Sequence, residues 1–212
     1  ARPMTTDPAR IVAANACQFE SWLRANHQGK PEFWAVPGCS PVEHLELSVG
    51  GARQSVDGQP RLSDSLAQAK LLLRPLRPND WGMALTLGRA VEHGPAGRRS
   101  PSNYLNLPLS HSLRDDALLL HLNLGARREL QSHRTIGTWG LASELQLRPG
   151  LQLIAEGYGE RGTRPFLPGG LRYWLVPDRV QLDATYGTQT GSGSGERWVS
   201  IGLRLLSPPF LP

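Results

Sequence analysis

No long hydrophobic run occurs anywhere in the chain. Its 212 residues are 39% hydrophobic, yet the longest aliphatic stretches are only Leu71-Leu72-Leu73 and Leu118-Leu119-Leu120. A helix that crosses a bilayer needs ~20 consecutive apolar residues, so helical membrane proteins are excluded. Lysine is nearly missing: Lys30 and Lys70 are the only lysines among 23 basic residues, and the net charge is +5. No basic run exceeds two residues (Arg98-Arg99, Arg127-Arg128), too thin for a nucleic-acid stripe, so no nucleic-acid partner is expected. Cys17 and Cys39 are the only cysteines. Two cannot make a four-ligand zinc site unaided; they read as one disulfide in an oxidising compartment such as a periplasm. Residues 1–20 lack the charged start and apolar middle of a signal peptide. A start at Ala1 rather than Met gives the expectation that a targeting segment has already been removed.

A helical period of useful length is also missing, and in its place stands alternation with period two. In 117–128, Leu118, Leu120, Leu122 and Leu124 share one face, with His121, Asn123, Gly125 and Arg127 on the other. Trp139, Leu141, Leu145 and Leu147 alternate with polar or small residues in the same way, as do Val180, Leu182, Ala184 and Tyr186, and Val199, Ile201, Leu203 and Leu205. Weaker versions run through 44–52, 66–75, 81–89, 104–113, 151–159 and 168–176. The chain is all-β.

Short turns alternate with longer connections. The short ones include Arg77-Pro78-Asn79-Asp80, Arg114-Asp115-Asp116, Arg148-Pro149-Gly150 and Val176-Pro177-Asp178-Arg179; the long ones fall at about 53–64, 89–103, 127–134, 159–167 and 188–197. Tight hairpins at one end and long loops at the other are the layout of a transmembrane β-barrel. Ten strands follow residue 44. A further hairpin, 16–24 with 31–39 around His27-Gln28-Gly29, sets Cys17 opposite Cys39 and Trp22 opposite Trp34. The total is about twelve strands, with ten strands plus a separate N-terminal hairpin as the alternative. The expected organisation is a periplasmic segment 1–13, a barrel 14–206 whose residues 14–42 form the disulfide hairpin, and an extension 207–212.

The face opposite the leucines carries Glu46, Lys70, Arg74, His121, Arg127, Glu144, Glu156, Arg172, Asp183 and Arg204. Burying that many ions in a small soluble core would cost several kcal/mol for each unpaired one. A soluble barrel of ten or more strands would also be hard to fill with side chains. A polar lumen inside an aliphatic belt fits better, giving a transmembrane antiparallel up-and-down β-barrel.

The closing strand Ser200-Ile201-Gly202-Leu203-Arg204-Leu205-Leu206 resembles the C-terminal signal strand of bacterial outer-membrane barrels, although no aromatic ends it. The block from Gly170-Leu171-Arg172-Tyr173-Trp174 through Tyr186-Gly187 resembles a strand–turn–strand unit of proteobacterial outer-membrane proteins. Some of these are channels associated with aromatic-degradation pathways. The resemblance covers about 44–206. It implies an outer-membrane location in a Gram-negative bacterium and a porin-like role, without specifying a substrate.

The expected function is passive passage of small solutes through a lumen lined by the ten residues above, which needs no cofactor and no metal. The alternative is a structural or accessory outer-membrane component in which those charges pair and fill the lumen; Glu144, Glu156, Arg172, Asp183 and Arg204 are placed for lateral pairing. The long loops are net positive and suit lipopolysaccharide phosphates, so outer-membrane lipid and lipopolysaccharide are the expected partners. A protein partner would sit at the loops or at the periplasmic end. A lipid hydrolase is the least favoured class. Pairing 113 with 117 across the turn sets 109 against 121 and Ser110 against Leu120, so Ser110-His111-Ser112 finds no base. The aromatics Trp81, Trp139, Tyr173, Trp174, Tyr186 and Trp198 lie near strand ends and suggest interfacial girdles. Gly-rich 191–195 has no following Lys-Ser/Thr and is a loop, not a phosphate cradle.

Overall fold

The computed structural model describes residues 4–27, 29–56, 59–191 and 196–211; most of the Gly-rich stretch 191–195 and the hairpin-tip residue Gln28 lie outside them. Twelve strands form one closed antiparallel sheet in which every strand pairs with its chain neighbours and β1 closes on β12. They are β1 (Cys17–Asn26), β2 (Glu32–Val42), β3 (Leu45–Val56), β4 (Gln59–Arg74), β5 (Trp81–His93), β6 (Arg99–Leu113), β7 (Leu118–Glu129), β8 (Thr135–Arg148), β9 (Leu151–Glu160), β10 (Phe166–Val176), β11 (Val180–Gln189) and β12 (Arg197–Leu206). The N-terminal hairpin is part of the barrel wall, which decides for twelve strands over ten plus a separate hairpin.

Register follows the alternation. Leu23, Leu87, Leu124, Leu141 and Val199 point outward and are about half exposed, and Ile201 is 67% exposed. Their chain neighbours on the opposite face include buried Thr86, Asn123, Ala142 and Ser200. A surface so uniformly aliphatic around a polar interior is the inverse of a water-soluble barrel and matches a lipid surround. Cys17 and Cys39 are register partners, as are Trp22 and Trp34; the cysteines form a disulfide and the indoles stack 5.3 Å apart within 5° of parallel.

Two expectations need correction. The connections at 53–64 and 89–103 are largely strand: β4 begins at Gln59, β5 runs to His93, and β6 begins at Arg99. Beyond the apolar belt both faces of a strand meet water, so the backbone ladder continues where alternation has faded. The turn after β6 is also longer by one residue. Arg114, Asp115 and Asp116 all adopt left-handed conformations, with φ of 54°, 55° and 67°, and Leu113 pairs with Leu118 rather than residue 117. Because side chains alternate with period two, a one-residue slip changes every facing pair.

Candidate functional site

Residues 4–12 do not lie outside the barrel, as expected for a periplasmic segment 1–13. They run up inside it from the short-turn end, with Met4, Thr6, Asp7, Ala9 and Val12 all buried. The lumen holds this stretch chiefly by its backbone. Glu156 accepts hydrogen bonds from the amides of Thr5, at 3.1 Å, and Thr6. The Asp7 amide donates to Asn123 Oδ1 at 2.8 Å, and Asn123 Nδ2 returns a bond to the Asp7 carbonyl at 2.7 Å. The Ala9 amide donates to Ser110 Oγ at 2.8 Å and the Val12 amide to Glu46 Oε2 at 2.9 Å. Pro8 has no amide to satisfy, and its carbonyl accepts from Lys70 Nζ at 2.6 Å. Lys70 also pairs with the Asp7 carboxylate at 2.9 Å, both groups being almost fully buried. A peptide buried inside a barrel needs partners for its polar backbone groups, and the inward charges provide several of them.

The predicted lumen residues divide by role. Glu46, Lys70 and Glu156 hold the segment, as described. Arg172 is a lateral hub, 2.7 Å from Glu144 and 3.0 Å from Asp183, and its Nη2 also approaches Met4 Sδ at 3.8 Å. Arg204 reaches Gln18 at 2.8 Å and Glu20 at 3.6 Å. Arg127, half-buried towards the long loops, binds Glu160 at 2.8 Å and Glu129 at 3.3 Å. Arg74 stands apart. At the short-turn end of β4, past a register shift between Leu72 and Arg74, it clamps Asp80 at 2.9 Å and lies over the Trp81 ring, 4.2 Å from its centroid.

His121 completes a group that the one-residue slip concealed. Ser110 faces His121, not Leu120, and Ser110 Oγ lies 2.7 Å from His121 Nδ1. His121 Nε2 is 3.4 Å from Glu144 Oε1. This has the order of a nucleophile, base and orienting acid. However, Ser110 Oγ already accepts the Ala9 amide, and Glu144 is committed to Arg172. Ser110 and His121 thus stand between the inserted segment and the charge hub, with His121 Nε2 buried and making no hydrogen bond among the described residues.

The aromatics also divide. Trp81, Tyr173 and Tyr186 are exposed on the outside, whereas Trp198 is only 4% exposed and faces inward, with Arg24 stacked 4.0 Å above its ring. Gly187 makes room for it, because a Cβ there would fall 2.2 Å from the indole. Sequence position near a strand end does not tell a girdle residue from a lumen residue; the parity of its register does.

The inserted segment leaves a cavity of about 400 Å³ towards the short turns, lined by Ile11, Val12, Gln18 and Arg204 among others. A second cavity of about 330 Å³ lies towards the long loops, with Thr5, Thr6 and Asp7 in its wall.

The family model described as "Uncharacterised conserved protein UCP029691" matches residues 1–206. The chain belongs to this family. No curated protein matches it. Among solved structures, this family member is similar to the KdgM porin in complex with disordered oligogalacturonate, at 11% identity and a TM-score of 0.67, over 89% of this chain and 98% of that one. It is similar to the COG4313 outer membrane channel from Pseudomonas putida F1 at 13% identity and 0.63, over 94% and 98%. The NanC porin gives 10% and 0.61, over 89% and 98%. At these identities the likeness is one of fold: a closed twelve-stranded outer-membrane type of barrel.

Proposed function

We propose that this family member is an outer-membrane channel for small solutes whose lumen is stopped by its own residues 4–12. The observation that carries the reading is the set of amides from Thr5, Thr6, Asp7, Ala9 and Val12 bound to lumen side chains. The aliphatic exterior supports the outer membrane as the location, and the channels and porins that share the fold support conduction. With the segment seated, the lumen charges serve to hold it; with the segment displaced, Glu46, Lys70 and Glu156 would line a solute path.

The positive long-loop end, with Arg89, Arg98, Arg99 and Arg128 near it, suits lipopolysaccharide phosphate. The filled lumen equally favours a second reading, a structural or accessory barrel that never conducts. Planar-bilayer recordings separate the two. The full chain should show rare or small openings, and a variant lacking residues 4–12 should conduct steadily. A folded deletion variant that remains silent would reject the channel and leave the accessory role.

A further inference from the structure

Near the long loops, the outer surface of β5, β6 and β7 changes from aliphatic to basic. Leu87, Leu105 and Leu124 of the apolar belt face out and are about half exposed. Side chains alternate along a strand, so Arg89, Asn103 and Arg128 share that outward face. They are register partners across the three strands, and all three are exposed. Leu87, Leu105 and Ala126 form the next outward row towards the belt, roughly 7 Å nearer the middle of the membrane. Towards the loops, His93 and Arg99 pair in register on the same face, with His93 bonded to Ser65 Oγ at 3.0 Å.

The arginines of this face do not spend their charge within the protein. Among the described residues, the guanidinium groups of Arg89, Arg99 and Arg128 make no hydrogen bond and no ion pair. The acids at this end point the other way. Glu129 and Glu160 are held by Arg127 on the lumen side, and Glu92 stands opposite Asp64 on the inner face. The short-turn rim is different, since Arg74 there is matched by Asp80. A basic outer face without a carboxylate is set for an anion that comes from outside the chain.

The height of the row selects the anion. It lies at the edge of the aliphatic belt, where headgroups meet acyl chains. A soluble polyanion would have to displace headgroups to reach it, whereas a lipid phosphate arrives there with its acyl chains against Leu87 and Leu105. Arg89 and Arg128 stand two strands apart, about 10 Å between backbones. That spacing suits two phosphates borne on a disaccharide, one for each guanidinium fork. Asn103 lies between them and can bond a sugar hydroxyl or amide.

We propose that the outward face of β5–β7 seats one molecule of a bis-phosphorylated, multiply acylated glycolipid, the lipid A part of lipopolysaccharide. Arg89 and Arg128 take its two phosphates, Asn103 the sugar between them, and Leu87 and Leu105 its acyl chains. The proposal gives the lipopolysaccharide contact a defined seat on one side of the barrel. It rests on the outer-membrane location in the reading above and on nothing about conduction.

The test is native mass spectrometry of the full chain, folded in a nonionic detergent and titrated with lipid. The probes are diphosphoryl lipid A, monophosphoryl lipid A, phosphatidylglycerol and millimolar sodium phosphate. Diphosphoryl lipid A should bind as one saturating copy. Loss of one phosphate should weaken it about tenfold, the effect of one charge-assisted contact. Phosphatidylglycerol should bind more weakly still, and sodium phosphate should not compete. Arg89→Gln and Arg128→Gln should each weaken diphosphoryl lipid A about tenfold, and the two together should remove the saturating copy. Arg77→Gln removes the same charge from a short turn at the other end and should change nothing. Heat-modified gel mobility checks that each variant is folded; should the double variant fail to fold, the single ones carry the test. The proposal is overturned by absence of a saturating copy, by phosphatidylglycerol binding as well as lipid A, by competition from free phosphate, or by unchanged affinity in the folded Arg89 and Arg128 variants. A barrel that binds lipid A yet stays silent in bilayers loses the channel reading and keeps this site. One that conducts without binding lipid A loses only the site.

Discussion

Lys70 and Asp7 form the most consequential contact at the scale of single residues. Their 2.9 Å pair is almost completely buried, so removing one partner strands the other as an ion. Breaking a buried pair in this way typically costs 3–5 kcal/mol. Within this protein the stranded charge has a cheaper outcome than unfolding the barrel, namely release of the segment into water. Asp7→Asn should therefore leave heat-modified mobility intact while making residues 4–12 sensitive to protease, and Lys70→Met with Asp7→Asn should restore much of the protection. Equal protection in wild type and Asp7→Asn would remove Lys70 from this role.

The short-turn rim supplies a prediction with a pH sign. Asp80 is held below the ordinary carboxylate range, first by the Trp81 amide and then by the Arg74 guanidinium. A depressed pKa gives stability that is present above the unfolded value of ~3.9 and is lost as pH falls through the folded value. Asp80→Asn should thus lower the thermal midpoint slightly at pH 7, with the gap to wild type closing below about pH 4. A gap that persists unchanged in acid would mean that ionisation of Asp80 plays no part in holding the turn.

The inserted segment and the N-terminal hairpin are the informative elements. Segment 4–12 is bound through its main chain, and backbone amides leave no mark in a sequence. That is why Thr5-Thr6-Asp7-Pro8 could be read as an extra-barrel segment even though its anchors, Glu46, Lys70 and Glu156, were legible as inward charges. The hairpin is the opposite case. Cys17 with Cys39 and Trp22 with Trp34 share one centre of symmetry, and the structure pairs both. The disulfide closes a loop with a sequence separation of 22, and chain-entropy reasoning assigns such a loop roughly 3 kcal/mol. β1 also pairs along its length with β12, so Cys17→Ser with Cys39→Ser should still fold and should unfold at a lower temperature. An unchanged midpoint in the double variant would show that the ladder alone holds β1.

For the whole molecule, alternation and the short–long rhythm of the turns were enough to derive a closed barrel of about twelve strands. They failed where a single residue matters. The three left-handed residues Arg114, Asp115 and Asp116 add one position to a turn, and that position decides whether Ser110 meets Leu120 or His121. The charged lumen was legible as a composition, but its use was not. The same ten residues could line an open path, pair with one another, or hold a peptide, and only three-dimensional proximity separates these.

Channel function in this barrel turns on whether residues 4–12 close the lumen. Single-channel recording of the full chain and of a folded variant lacking residues 4–12, under identical salt and voltage, tests it most directly. The full chain should show rare or small openings, and the variant long-lived openings of higher conductance. Equal conductance in the two would contradict it.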